Sequence, residues 1–75
     1  MDKASSNSMT IMNASGFSFS GINISRIRAP GAVLENINFC RANLRGAYLK
    51  GALLKNAILD EAIFLDADLT DVDFG

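Results

Sequence analysis

Apolar residues recur at a period of five over most of this 75-residue chain, and that odd period leaves few folds open. Cut from Met12, the sequence reads MNASG, FSFSG, INISR, IRAPG, AVLEN, INFCR, ANLRG, AYLKG, ALLKN, AILDE, AIFLD, ADLTD and a shortened VDFG, in register without insertion. The third position of every block is apolar, from Ala14 and Phe19 to Leu69 and Phe74. So is the first, which runs through Met12, Phe17, Ile22, Ile27, Ala32 and Ile37 before settling on alanine from Ala42 to Ala67 and ending on Val72.

An α-helix turns about 100° per residue, so positions five apart differ by about 140° and would scatter around the whole circumference. A straight strand alternates sides with period two, so an odd repeat would send successive blocks to opposite faces. The pattern can be housed only if the chain bends once per block, so that each short extended piece turns its first and third residues into a shared interior. Corner chemistry falls in the matching phase. Gly16, Gly21, Gly31, Gly46, Gly51, Asn36 and Asn56 all occupy the fifth position, and Pro30 precedes a corner glycine. Glycine and asparagine tolerate the backbone angles of a tight bend. Stacked circuits would pair their main chains about 4.8 Å apart, in parallel, with each interior side chain resting on its equivalent one circuit below.

ANLRG, AYLKG, ALLKN, AILDE and ADLTD resemble the A-(D/N)-L-x-x motif of the pentapeptide-repeat family, and the register extends from Met12 to Gly75. The resemblance implies an all-β fold, a right-handed, four-sided parallel β-helix with four blocks per coil and about three coils in this chain. Early blocks depart from the motif by placing Phe17, Ile22, Ile27 and Ile37 where alanine is usual, which predicts a wider or less regular first coil. The residues of the two apolar phases read as core. The domain division expected is a cap or lead-in over 1–11 and a solenoid over 12–75.

A stack of coils has two ends, each with apolar rungs and unpaired strand edges to be covered. At the first, Ser6 to Ala14 reads as a short capping helix, with Met9, Ile11 and Met12 as its apolar residues and Gly16 as its stop. An extended capping strand is the alternative, because the five-residue phase continues weakly back through Met9 and Ala4. At the other end the repeat runs to Phe74, so the expectation is self-association there, a protein partner, or a longer polypeptide of which this is a part. The run through RIRAPGA to VDFG is also similar to pentapeptide blocks of large multidomain proteins.

Histidine is absent and Cys40 is the sole cysteine, which removes the commonest general base, an internal disulfide and any cysteine metal cluster. The expectation is a non-enzyme with no cofactor, no metal, no nucleic-acid partner and no membrane span, located in the cytoplasm. Cys40, with no histidine beside it, reads as a passive thiol. A net charge of −1 conceals segregation: Arg26, Arg28, Arg41, Arg45, Lys50 and Lys55 crowd the middle, and Asp60, Glu61, Asp66, Asp68, Asp71 and Asp73 follow without any base. That makes an axial dipole, able to pair neighbouring coils or to guide a partner to one end.

Outward second positions should be polar, yet Val33, Leu53, Ile58 and Ile63 are apolar there, and Leu65 is apolar at a fourth position. With Tyr48 and the terminal Phe74 they form the candidate contact surface. The function expected is a non-catalytic structural or protein-interaction module that presents rigid solenoid faces. The family implies an alternative, a DNA-mimicking binder of a type II topoisomerase, which the short length and the basic middle coil disfavour.

Overall fold

The computed structural model describes the backbone of residues 2–75 and the side chains of residues 6–75, so Met1 and the side chain of Ala4, with its place in the weak backward phase, lie outside the described residues. The chain opens with a helix, α1 (Asp2–Ala14), and then coils. α1 extends through Met12–Ala14, so the block MNASG belongs to the cap and not to the solenoid. Local chemistry explains the difference. Gly16 takes φ +87°, its N–H donates to Asn13 C=O, and Phe17 N–H reaches back to Met12 C=O at 3.0 Å. Those two bonds form a Schellman ending with glycine in the left-handed position, which stops the helix one block later than the five-residue phase alone indicates.

From Phe19 onward each block repeats one hydrogen-bonding scheme. Parallel bridges join residues twenty apart: Asn23 to Asn43 to Ile63, Arg28 to Tyr48 to Asp68, Val33 to Leu53 to Asp73, and Asn38 to Ile58. Four blocks therefore complete one circuit, and each of these four stacks marks one face. Every face contributes a single bridge residue per circuit, so the β-structure is a column of short rungs and not a set of long strands.

Four of the five amides of a block have a main-chain place where circuits adjoin, as buried or half-buried backbone requires. The first-position N–H closes the corner onto the preceding third-position C=O, as Ala47 does onto Leu44 at 3.1 Å. Second-position N–H groups donate to the circuit before, as Leu53 does to Ala32 at 2.9 Å, while third and fifth positions donate to the circuit after, as Leu34 does to Leu53 and Gly31 to Lys50. The fourth-position N–H is left over. A second-position side chain takes it: Asn23, Asn38, Asn43, Asp68 and Asp73 accept through Oδ1 from Ser25, Cys40, Arg45, Thr70 and Gly75, and Ser18 accepts through Oγ from Ser20. Pro30 obeys the same logic inversely. It follows Arg28, a side chain that cannot accept, and carries no N–H to be capped.

The interior is filled by the two apolar phases. Leu34, Ile37, Phe39, Leu44, Leu49 and Leu54 are fully buried, and alanine at the first position lets each neighbouring rung approach closely. Phe19 stacks edge-on against Phe39 at 5.9 Å. Phe17 departs from expectation: at 45% exposed it lies outside the core, with its ring edge against Phe19 at 4.9 Å. Its block is the first after α1 and has no rung above to hold it inside.

α1 covers the first circuit with one face, Ser6, Met9, Thr10 and Asn13, at the spacing that places four residues in a row on a helix. Met9 is buried against the core. The polar three substitute for a missing circuit: Ser6 Oγ donates to Pro30 C=O at 2.7 Å, Asn13 Nδ2 donates to Glu35 C=O at 2.8 Å, and Thr10 Oγ1 accepts from Val33 N–H at 2.9 Å.

Candidate interaction surface

Unlike the first end, the far end of the column has no described element over it. Full burial of the core ceases at Leu54, and Leu59, Phe64 and Leu69 are only partly buried, with Phe74 53% exposed. Their N–H groups point along the column where a following circuit would accept them, and among the described residues none has an acceptor. Ala57, Ala62, Ala67 and Val72 likewise leave their C=O groups unmatched there. The end is therefore a rim of apolar side chains interleaved with open main-chain donors and acceptors.

The seven candidate contact residues do not form one patch. Ile58, Ile63, Leu65 and Phe74 belong to the last circuit, and all four are exposed. Val33 and Leu53 share a separate face as bridge partners, with Asp73 below. Tyr48 falls on another face, and its ring is occupied: the Arg28 guanidinium carbon sits 4.7 Å from the ring centroid, a cation–π contact. Tyr48 thus makes a stacking contact within the fold and stands on a face apart from the circuit that carries Ile58, Ile63, Leu65 and Phe74.

Where a second position is apolar, the cap of the fourth-position amide is lost. Among the described residues nothing caps the N–H groups of Glu35, Lys50, Lys55, Asp60 and Leu65, which follow Val33, Tyr48, Leu53, Ile58 and Ile63. These positions forgo a local hydrogen bond that six others keep.

Charge is arranged as the sequence indicates but works differently. Among the described residues no ion pair joins Arg41, Arg45, Lys50 or Lys55 to the carboxylates of the last circuit. The dipole acts as a field around the column and not as a set of bonds. Asp68 is held in its charged form by its neighbours. The Thr70 hydroxyl donates to it at 2.6 Å and the Thr70 N–H at 3.0 Å, and these bonds, with a smaller attraction from Lys50, hold its pKa below the usual value. A half-open groove of about 350 Å³ runs past Ser25, Arg26, Asn43, Arg45, Gly46 and Asp66. Its two arginines are solvent-exposed. Among the described residues no group of three metal-ligating side chains comes together, and no helix is long and apolar enough to cross a membrane. Cys40 is a half-buried free thiol between two faces, with its amide capped by Asn38.

The profile of the family described as Pentapeptide repeats matches residues 18–56 and 41–75, with eight copies. The chain belongs to the pentapeptide-repeat family. Membership accounts for the β-helical column and for the D/N preference at second positions, whose side chains cap the fourth amide. It identifies no partner. No curated protein shows significant sequence similarity to this pentapeptide-repeat chain.

Two functional features escaped sequence reasoning. The role of Ser6, Thr10 and Asn13 as substitutes for a missing circuit has no repeat signal, because each acts from a helix on a backbone group about two dozen residues away. The second-position cap was readable in principle from the Asn or Asp that recurs at second positions, as at Asn23, Asn38, Asn43, Asp68 and Asp73.

Proposed function

We propose that this pentapeptide-repeat chain is a right-handed, four-sided solenoid of about three coils that serves as a non-catalytic protein-interaction module in the cytoplasm, with its contact surface on the last circuit. The supporting observation is the exchange at Ile58 and Ile63, where an outward apolar side chain takes the place of a residue able to cap the next corner. Ile58, Ile63 and Leu65 are 46%, 37% and 63% exposed. They lie on the same circuit as the exposed Phe74, and exposed apolar side chains gathered at one end of a molecule mark contact sites. The interior is packed by aliphatic and aromatic side chains, and the chain has no histidine to serve as a base.

A photo-activatable side chain placed at Ile63 or Leu65 tests the proposal, with one at Ser25, on the solvated basic side, as control. Covalent protein adducts are expected from the first two positions and not from Ser25. No adduct at either Ile63 or Leu65, in a protein that keeps its fold by circular dichroism, would sink the proposal.

A further inference from the structure

We propose that the partner on this rim is a second copy of the same chain, which lays the outer face of its α1 across Leu59, Phe64, Leu69 and Phe74. The inference rests on the interaction-module reading and names its occupant. The first circuit already shows what covers a solenoid end in this protein: a helix with one apolar plug, Met9, and hydroxyl or amide side chains that meet open ladder groups.

α1 carries a second row of the same kind. Its inner face is Ser6, Met9, Thr10 and Asn13, and shifting each by two gives Ser8, Ile11 and Met12 on the helix and Ser15 one residue past its end. Two residues rotate a helix by about 200°, so this second row faces away from its own solenoid. All four of its residues are exposed, Ile11 at 67%. Apolar Ile11 and Met12 are again flanked by hydroxyls: Ser8 can donate or accept, and Ser15, whose proton goes to Met12 C=O at 2.8 Å, can accept from the open N–H groups of the rim.

Charge selects between ways of pairing copies. Rim against rim would set Asp60, Glu61, Asp66, Asp68, Asp71 and Asp73 of one chain against the same six of the other. From Ser5 to Ser25 the chain has no charged residue, so the outer row of α1 meets the acidic rim without setting carboxylate against carboxylate.

The contact is heterologous, so copies add head to tail and the series does not close on itself. It is also small. The molecule measures 27 × 26 × 23 Å, and an end of that width buries on the order of 1,000 Å² in total, the lower edge of specific association. Association is therefore reversible and visible only at high concentration.

Sedimentation velocity from micromolar to millimolar protein is the test. The wild-type mass is expected to rise without a plateau. Ile11→Glu spoils the outer face of α1 and Phe74→Gln spoils the rim, so each alone should stay at the mass of one copy. An equimolar mixture of the two variants has one sound α1 face and one sound rim to join, and should form a two-copy species and nothing larger. A wild type that keeps one-copy mass throughout would overturn the inference, as would Ile11→Glu associating like wild type, the result expected of rim-to-rim pairing. Ile11 points to solvent, so its variant remains decisive even if Phe74→Gln loosens the last circuit. Adducts to a different protein at Ile63, with wild type at one-copy mass, would defeat this inference and leave the interaction module standing.

Discussion

Every fifth position from Gly16 to Asp71 holds φ between 58° and 87°, yet five are glycine and seven are not. Arg26, Arg41, Glu61, Asp66 and Asp71 adopt a left-handed backbone that costs an ordinary L-residue about 1–2 kcal/mol. Ladder bonds on these or the neighbouring residues hold it there: Arg26 and Arg41 N–H donate to Arg45 and Asp60 C=O of the circuit after, and in the last circuit Asp60 and Leu65 C=O accept from Arg41 and Gly46 just before the Glu61 and Asp66 corners. Arg41→Gly should thus raise stability by roughly 0.5 kcal/mol, the relief of strain less the greater freedom of glycine in the unfolded chain. Arg41→Val, β-branched in the same conformation, should lower it by about 1–2 kcal/mol. Urea denaturation of both variants checks the sign, and a Gly variant weaker than Val would refute the argument. The glycine and asparagine corners were readable in the sequence. The charged ones were not, because arginine and glutamate signal no turn and only the five-residue phase places them. Asp68 is a second case at this scale. Its folded pKa lies below the ordinary 3.8 because Thr70 donates two hydrogen bonds to the charged form. Its stabilisation is present above the unfolded value and is lost as pH falls through the lower folded one. A carboxyl-carbon NMR titration should give Asp68 a midpoint below 3.8, and Thr70→Val should move it upward by removing the hydroxyl that donates to the carboxylate. No change on Thr70→Val would show that the hydroxyl is not responsible.

Among elements, α1 shows how a helix can end a β-column. The sequence identified the residues of a cap, Met9, Ile11, Met12 and Gly16, but not which face turns inward, since both Ser6-Met9-Thr10-Asn13, with one apolar residue, and Ser8-Ile11-Met12-Ser15, with two, set apolar side chains among polar ones. The choice is made by reach to the first circuit, a tertiary fact with no local trace. Thr10→Val keeps the shape of the side chain and removes the oxygen that accepts from Val33 N–H. Leaving that amide unmet should cost about 1–3 kcal/mol, and amide exchange at Val33 should speed up more than at Leu34, whose N–H donates to Leu53 instead. Equal acceleration at both would mean that the helix had simply detached. Conversely, Ile63→Asn supplies the missing cap for Leu65 N–H and should raise stability by about 0.5–1 kcal/mol. The same change should weaken protein adduct formation from Leu65. Stability gained while contact is lost is the pairing expected if Ile63 is kept for a partner and not for the fold.

For the whole molecule, the five-residue period determined nearly all of the architecture, because only a chain that turns at each block can bring Phe39, Leu44, Leu49 and Leu54 into one interior. What the period could not convey is that the column has direction. Second-position amides donate backward to the circuit before, third- and fifth-position amides forward to the circuit after, so the two ends are chemically unlike. This asymmetry makes a sharp forecast for hydrogen exchange. In the last circuit Ile63, Asp68 and Asp73 donate to Ala42, Ala47 and Ala52 and should be slow, while the adjacent Phe64, Leu69 and Phe74 have no acceptor and should be fast. One circuit earlier the contrast disappears, since Asn43 and Leu44 both donate, to Ile22 and Ile63. Adjacent residues differing strongly at the rim and little in the middle is the signature of a directional ladder. Uniform exchange along the last circuit in dilute protein would contradict it. As protein concentration rises, a copy docking through α1 should slow Phe64 and Leu69 and leave Ile63 nearly unchanged, because only the forward-facing amides gain a cover.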